Sequence, residues 1–143
     1  MRLCATLTVC CLVFIWGNSL LPGSVSGAIS DFLKKILASL FAQGKPEPEN
    51  GGFLLRKMAH FSEFTLLGLC LCWLFGMRGK GKLPPILWGA LAACVDESIQ
   101  LFVPGRGPSV RDVCIDSGGV LLGVILLTLG HHYLCKKRTL EET

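Results

Sequence analysis

PPILWGALAACVDESIQLFVPGRGPSVRDVCIDSGGVLLGVILLTLGHHYL, residues 84–134, decides the fold. Two apolar runs, 84–103 and 113–134, flank a short break at 104–111. Crossing a hydrocarbon layer takes ~20 mostly apolar residues, and each run supplies about that number. Both carry carboxylates at the end next to the break: Asp96 and Glu97 before it, Asp112 and Asp116 after it. A hairpin of two spanning helices therefore puts four acids at one depth. Moving towards the N-terminus, residues 58–77 form another run, with His60 and Glu63 in its opening turns, and the connection 78–83 is short. Residues 3–21 form a fourth run without any charge. Four such helices occupy over half of the 143 residues and leave no soluble catalytic domain. Apolar residues make up 51% of the chain and charged residues 17%, against ~25% charged in a soluble domain. The net charge of +4 is scattered among apolar runs, with no aromatic-interleaved basic face, so no nucleic-acid partner is expected. We expect an all-α membrane helical bundle of four transmembrane helices plus one interfacial amphipathic helix, in a single domain over 1–143.

The interfacial helix is read from 29–41. Its apolar residues Ile29, Phe32, Leu33, Ile36, Leu37, Leu40 and Phe41 repeat at helical spacing on one face, with Lys34 and Lys35 off it. The run is too short to span and suits a helix lying in the interface plane; the alternative is a helix docked across the bundle. Residues 43–52, with Pro46, Pro48 and paired glycines, read as a loop. The first run, preceded by Arg2 and followed by small residues at 24–28, also resembles a secretory signal peptide. At 19 residues it exceeds the ~7–15 of a signal's apolar core, so we expect a retained anchor.

Helix parity places residue 1, the 78–83 turn and the C-terminal tail on one side. That side and the opposite one each carry seven Lys and Arg residues. Arg56, Lys57, Arg106 and Arg111 lie beside acids. Setting them aside leaves Lys34, Lys35 and Lys45 on the far side, and the positive-inside rule then puts both termini in the cytoplasm.

Parity also gathers His60, Glu63, Asp96, Glu97, Gln100, Asp112 and Asp116 in the outer third of the layer. A charged side chain costs ~2.5–3.5 kcal/mol at a helix centre and turns towards the bundle interior or a wet cavity. The spacings agree: His60 with Glu63, Glu97 with Gln100, Asp96 with Gln100 and Asp112 with Asp116 each share a helix face. Five acids face four bases, Arg56, Lys57, Arg106 and Arg111, and a protonated His60 would balance them. Such a network is close to neutral without a divalent ion, so no metal and no cofactor are expected. It is either a structural ion-pair network or a pocket built on one.

Lys57-x-x-His60-Phe61, Glu97-x-x-Gln100, Pro104-Gly105-Arg106, Asp112 and Gly119-x-x-x-Gly123 follow one another in an order and spacing that resemble the VanZ-like family. The match covers roughly residues 53–127. One position departs: the family's usual amide four residues after Asp112 is acidic here, Asp116. The resemblance implies a small multi-pass protein of the bacterial cytoplasmic membrane, and the family's namesake is associated with low-level teicoplanin resistance. It implies Lys57, His60, Glu97, Gln100, Arg106 and Asp112 as site residues, the cluster that parity assembles. To these we add Arg111 and Asp116 as ligand-binding candidates.

The expected ligand is an amphiphile with an anionic or peptide-like head group, such as a lipid-linked cell-wall precursor, alongside the membrane lipids. A second reading is a hydrolase or transferase in which His60 acts as base, Glu97 or Asp112 orients it and Arg106 stabilises developing charge. No activated Ser or Cys nucleophile is apparent. A third reading is a purely structural cluster. Four helices without an inverted repeat argue against a transporter. The eight cysteines, none in a C-x-x-C pair, read as small apolar packing residues. Gly119 and Gly123 read as a close helix contact inside the bundle, Trp16, Trp73 and Trp88 as lipid-facing or interfacial anchors, and His131 and His132 as interfacial. Arg106 either holds an anionic head group or pairs with Glu97.

Overall fold

The computed structural model describes residues 1–41 and 51–141. They form five α-helices: α1 (Arg2–Ser19), α2 (Gly23–Phe41), α3 (Gly51–Gly76), α4 (Leu83–Gln100) and α5 (Val110–Glu141). No strand occurs among the described residues. By length and composition, α1, Leu54–Gly76 of α3 and Val110–Thr139 of α5 can each cross a membrane. Their outward faces carry large apolar side chains such as Phe14, Leu66 and Leu126, which lipid accommodates and water does not. α4 is not among those three. Its 18 residues could reach ~27 Å, but Asp96 and Glu97 occupy its last turns.

The protein is a membrane helical bundle, and α3 is its hub. It packs against α1, α2, α4 and, most extensively, α5. Small residues let α3 and α5 touch backbone to backbone. A Cβ on Gly119 would stand 2.5 Å from the Phe61 carbonyl oxygen, and one on Gly123 would stand 2.2 Å from that of Thr65. From the other side, a Cβ on Gly68 would meet the Val120 carbonyl oxygen at 2.3 Å. The Gly-x-x-x-Gly step thus serves contact within the bundle, as expected from the sequence. Around this seam Ile15, Phe64, Leu67, Ala93 and Val120 lose all contact with solvent. Cys11 joins that core and Cys4 is also buried, whereas Cys10, Cys94, Cys114 and Cys135 face outward; all eight thiols are free. Trp16 is no membrane anchor, because its indole N–H donates to the Ala92 carbonyl inside the bundle at 3.4 Å.

Two helix boundaries depart from the sequence reading. α3 starts at Gly51, seven residues before the expected 58. The Gly51–Gly52 pair, read as loop, forms its first turn, since a helix end tolerates glycine and Leu54 to Met58 favour the helix. The rest of that expected loop, 43–50, lies outside the described residues. His60 and Glu63 consequently sit well inside α3 instead of in its opening turn. α2 also starts early, at Gly23. It buries Ser26 and Ser30 and turns Val25, Ile29, Phe32, Leu33 and Ile36 outward. That outward stripe is the apolar face expected of an interfacial helix and does not suit one docked across the bundle through its apolar side. The side chains of Leu37, Leu40 and Phe41 lie outside the described residues.

The start of α2 is clasped to the turn between α4 and α5. The Gly23 N–H donates to the Pro104 carbonyl at 3.0 Å. A side chain at Gly23 would collide with the Gly105 carbonyl oxygen, 2.2 Å from the Cβ position. Gly105 itself adopts φ +74°, a left-handed conformation that glycine enters without strain. This contact fixes the next residue, Arg106.

Candidate functional site

Four helices bring polar side chains to one end of the bundle. From α4, Asp96 is fully buried and Glu97 nearly so. Gln100, one turn on, donates its amide to Asp96 Oδ2 and Glu97 Oε1, both at 3.0 Å. Both i,i+3 and i,i+4 contacts read from the sequence are therefore made by one side chain. The second Glu97 oxygen accepts the Ser109 backbone N–H at 2.7 Å, tying α4 to the chain entering α5. From α3, Lys57 pairs with Asp112 at the start of α5. One turn deeper, His60 Nδ1 lies 3.8 Å from Glu63 Oε2. Asp116, on the same face as Asp112, is 2% exposed.

α1 contributes as well, which the sequence reading missed. Ser19 is fully buried and donates its hydroxyl to Asp96 Oδ2 at 2.8 Å. Asn18 donates to Glu63 Oε1 at 3.1 Å. The Asn18 carbonyl in turn accepts Arg106 Nη2 at 3.2 Å. The signal was present in the sequence: Asn18 and Ser19 end a charge-free apolar run on the side where helix parity gathers the other polar groups.

Arg106 does not pair with Glu97. It reaches the end of α1 instead, because the clasp of α2 on the turn holds it there, and Glu97 is already committed to Gln100 and Ser109. In this connection, partial burial lowers the Arg106 pKa from its usual value; nearby Arg56 acts in the same direction, and Asp96, Glu97 and Glu63 oppose it. Its Nε is buried without a hydrogen-bond partner. Arg111 is exposed and lines neither of the two cavities at this end. His60, Lys57, Glu97, Gln100, Arg106, Asp112 and Asp116 all line one of them.

That cavity is small, about 30 Å³, and polar. The second is about 520 Å³, is largely apolar and lies between α1, α2 and α3. Phe14, Leu21, Ile29, Leu33 and Leu55 wall it, and Asn18, Arg56, His60 and Glu63 give it a polar end. Arg56 and His60 border both spaces. The carboxylates that approach His60 are Glu63, Asp96 and Asp116, whereas Glu97 and Asp112, the partners expected from sequence, are engaged with Gln100, Ser109 and Lys57.

A family model described as VanZ/LLP1 matches residues 4–131. The chain belongs to the VanZ/LLP1 family. The match takes in α1 and α2 as well as the motif-bearing segment, so in this VanZ/LLP1 protein Asn18 and Ser19 lie within the family region. No curated protein and no solved structure shows significant similarity to the chain.

Proposed function

We propose that this VanZ/LLP1 protein is a cell-envelope protein of the bacterial cytoplasmic membrane that binds a lipid-linked or peptide-like envelope ligand. α4 serves as the fourth span, both termini face the cytoplasm, and the polar end of the bundle opens outward. The observation that carries this reading is the pair of adjoining cavities. A space of about 520 Å³ is within the ~300–1,000 Å³ of ligand pockets, and its apolar walls suit a lipid tail. Its polar end meets the small cavity at Arg56 and His60. Lys57 and Arg106 stand at the same level and suit an anionic head group. An amphiphile is the chemistry that matches both parts, and a lipid-linked cell-wall precursor is its most apt form in an envelope.

The test is binding by the purified full chain in nanodiscs, with a lipid-linked cell-wall precursor compared against phosphatidylglycerol and phosphatidylcholine. Preference for the precursor, lost in Arg106→Gln and in Leu33→Trp, supports the reading. Equal uptake of all three lipids refutes it. In a susceptible bacterium, expression is expected to raise the inhibitory concentration of teicoplanin modestly, and Arg106→Gln to cancel the rise at equal protein level.

One observation favours a second reading, a membrane-embedded hydrolase or transferase. His60 Nδ1 is buried without a hydrogen-bond partner and its residue faces both cavities, as a proton acceptor would. Turnover of the bound precursor, abolished by His60→Ala with binding retained, separates this from binding alone.

A further inference from the structure

His60 of α3, Asp96 of α4 and Asp116 of α5 come from three different helices, yet one ligand-type atom from each lies within 4.8 Å of the others. The set is not explained by the hydrogen bonds of the cluster. Asp96 is fully buried, and its Oδ2 already accepts Ser19 and Gln100. Its Oδ1 is buried with no hydrogen-bond partner. His60 Nδ1 is in the same position. A carboxylate oxygen held in that state deep in a helical bundle is costly, and natural structures satisfy such groups with a partner, a water or an ion.

The structure assigns His60, Asp96 and Asp116 as a binding site for a first-row divalent cation, Zn²⁺ or Mn²⁺. Three lines of chemistry agree. A neutral imidazole with two carboxylates is a donor set for Zn²⁺ or Mn²⁺, whereas Mg²⁺ and Ca²⁺ prefer oxygen alone. Two carboxylates and a divalent ion sum to zero charge, the condition a site at membrane depth needs. His60 and Asp116 also border the small polar cavity, about 30 Å³, which has room for a water to complete the coordination. Ser19 and Gln100, bonded to the other Asp96 oxygen, would orient that ligand from behind. The sequence reading expected no metal because it balanced all five acids against the four bases. In the fold Lys57 is on Asp112, Arg106 Nη2 reaches the Asn18 carbonyl and Arg111 is exposed, while Arg56 borders both cavities. The site stands independently of lipid binding.

The experiment uses the full chain, freed of any affinity tag, stripped with chelator and kept in detergent. Mn²⁺ is titrated and followed by its electron paramagnetic resonance, and Zn²⁺ by competition for the same site. One equivalent is expected, with millimolar Mg²⁺ or Ca²⁺ failing to displace it. Asp116→Asn and His60→Ala should each weaken binding at least ~10-fold, and the double variant His131→Ala/His132→Ala should leave it unchanged. Should those site variants fail to fold, the wild-type melting temperature decides: a rise with Mn²⁺ or Zn²⁺ and none with Mg²⁺ supports the site. No binding by the wild type, binding that survives both site substitutions, or binding lost with His131 and His132 would each overturn it.

Discussion

At the scale of single residues, the sharpest contacts are hydrogen bonds to buried carboxylates. Ser19 donates to Asp96 at 2.8 Å and both residues are fully buried. A hydrogen bond to a charged group contributes about 1.5–3 kcal/mol, so Ser19→Ala is expected to lower unfolding stability by that amount. Ser98, whose hydroxyl bonds its own helix on an exposed face, is the control; Ser98→Ala should stay within about 0.5 kcal/mol. Reversible unfolding in mixed micelles measures both. Membership of the cluster was legible for His60, Glu63, Asp96, Glu97, Gln100, Asp112 and Asp116, because hydrocarbon penalises charge and helix parity fixes depth. Pairing was legible only where partners share a helix, as with Gln100 above Asp96 and Glu97. Arg106 shows why the rest was not. Its partner depends on where the Pro104-Gly105 turn is held, and that is set by contact with Gly23, which lies 81 positions earlier.

Among the elements, the α3–α5 seam bears the most direct test. Gly123→Ala inserts a methyl group 2.2 Å from the Thr65 carbonyl oxygen, a clash with backbone that cannot rotate away. A loss of about 1–3 kcal/mol is expected. Gly130 lies in the same helix with nothing near its Cβ position, so Gly130→Ala should be neutral or stabilising by up to about 1 kcal/mol. Equal effects at the two positions would mean that α3 and α5 do not meet in this register. The three helices long and apolar enough to cross a membrane, α1, α3 and α5, were readable from apolar run length. The starts of α2 and α3 were not, because Gly23, Gly51 and Gly52 look like turn residues locally and only packing recruits Gly23 to the Pro104-Gly105 turn. α1 was read as a plain anchor, yet its buried face, Cys4, Thr8, Cys11, Ile15 and Ser19, steps at helical spacing into the bundle. Deleting residues 2–19 is therefore expected to destabilise the remaining helices and to abolish ligand binding, beyond any loss of membrane anchoring. A deletion variant that melts at the wild-type temperature would contradict this.

For the molecule as a whole, the arrangement is polarised. Arg78, Lys80 and Lys82 lie in the α3–α4 turn, at the end of the bundle opposite the buried polar cluster. With four spans, a cysteine placed at Gly107 should react with a membrane-impermeant maleimide in intact cells, and one at Gly81 only after permeabilisation, both in a background lacking the native cysteines. Reaction of both from outside would mean that α4 does not cross. The polar site depends on ionisable groups from separate helices meeting one another instead of facing lipid. A double-mutant cycle on Lys57 and Asp112, which pair across α3 and α5, tests that dependence most directly. With Lys57→Met, Asp112→Asn and the double variant measured by unfolding in micelles, a coupling of about 1–3 kcal/mol is expected. Additivity within about 0.5 kcal/mol would show that the two side chains do not meet.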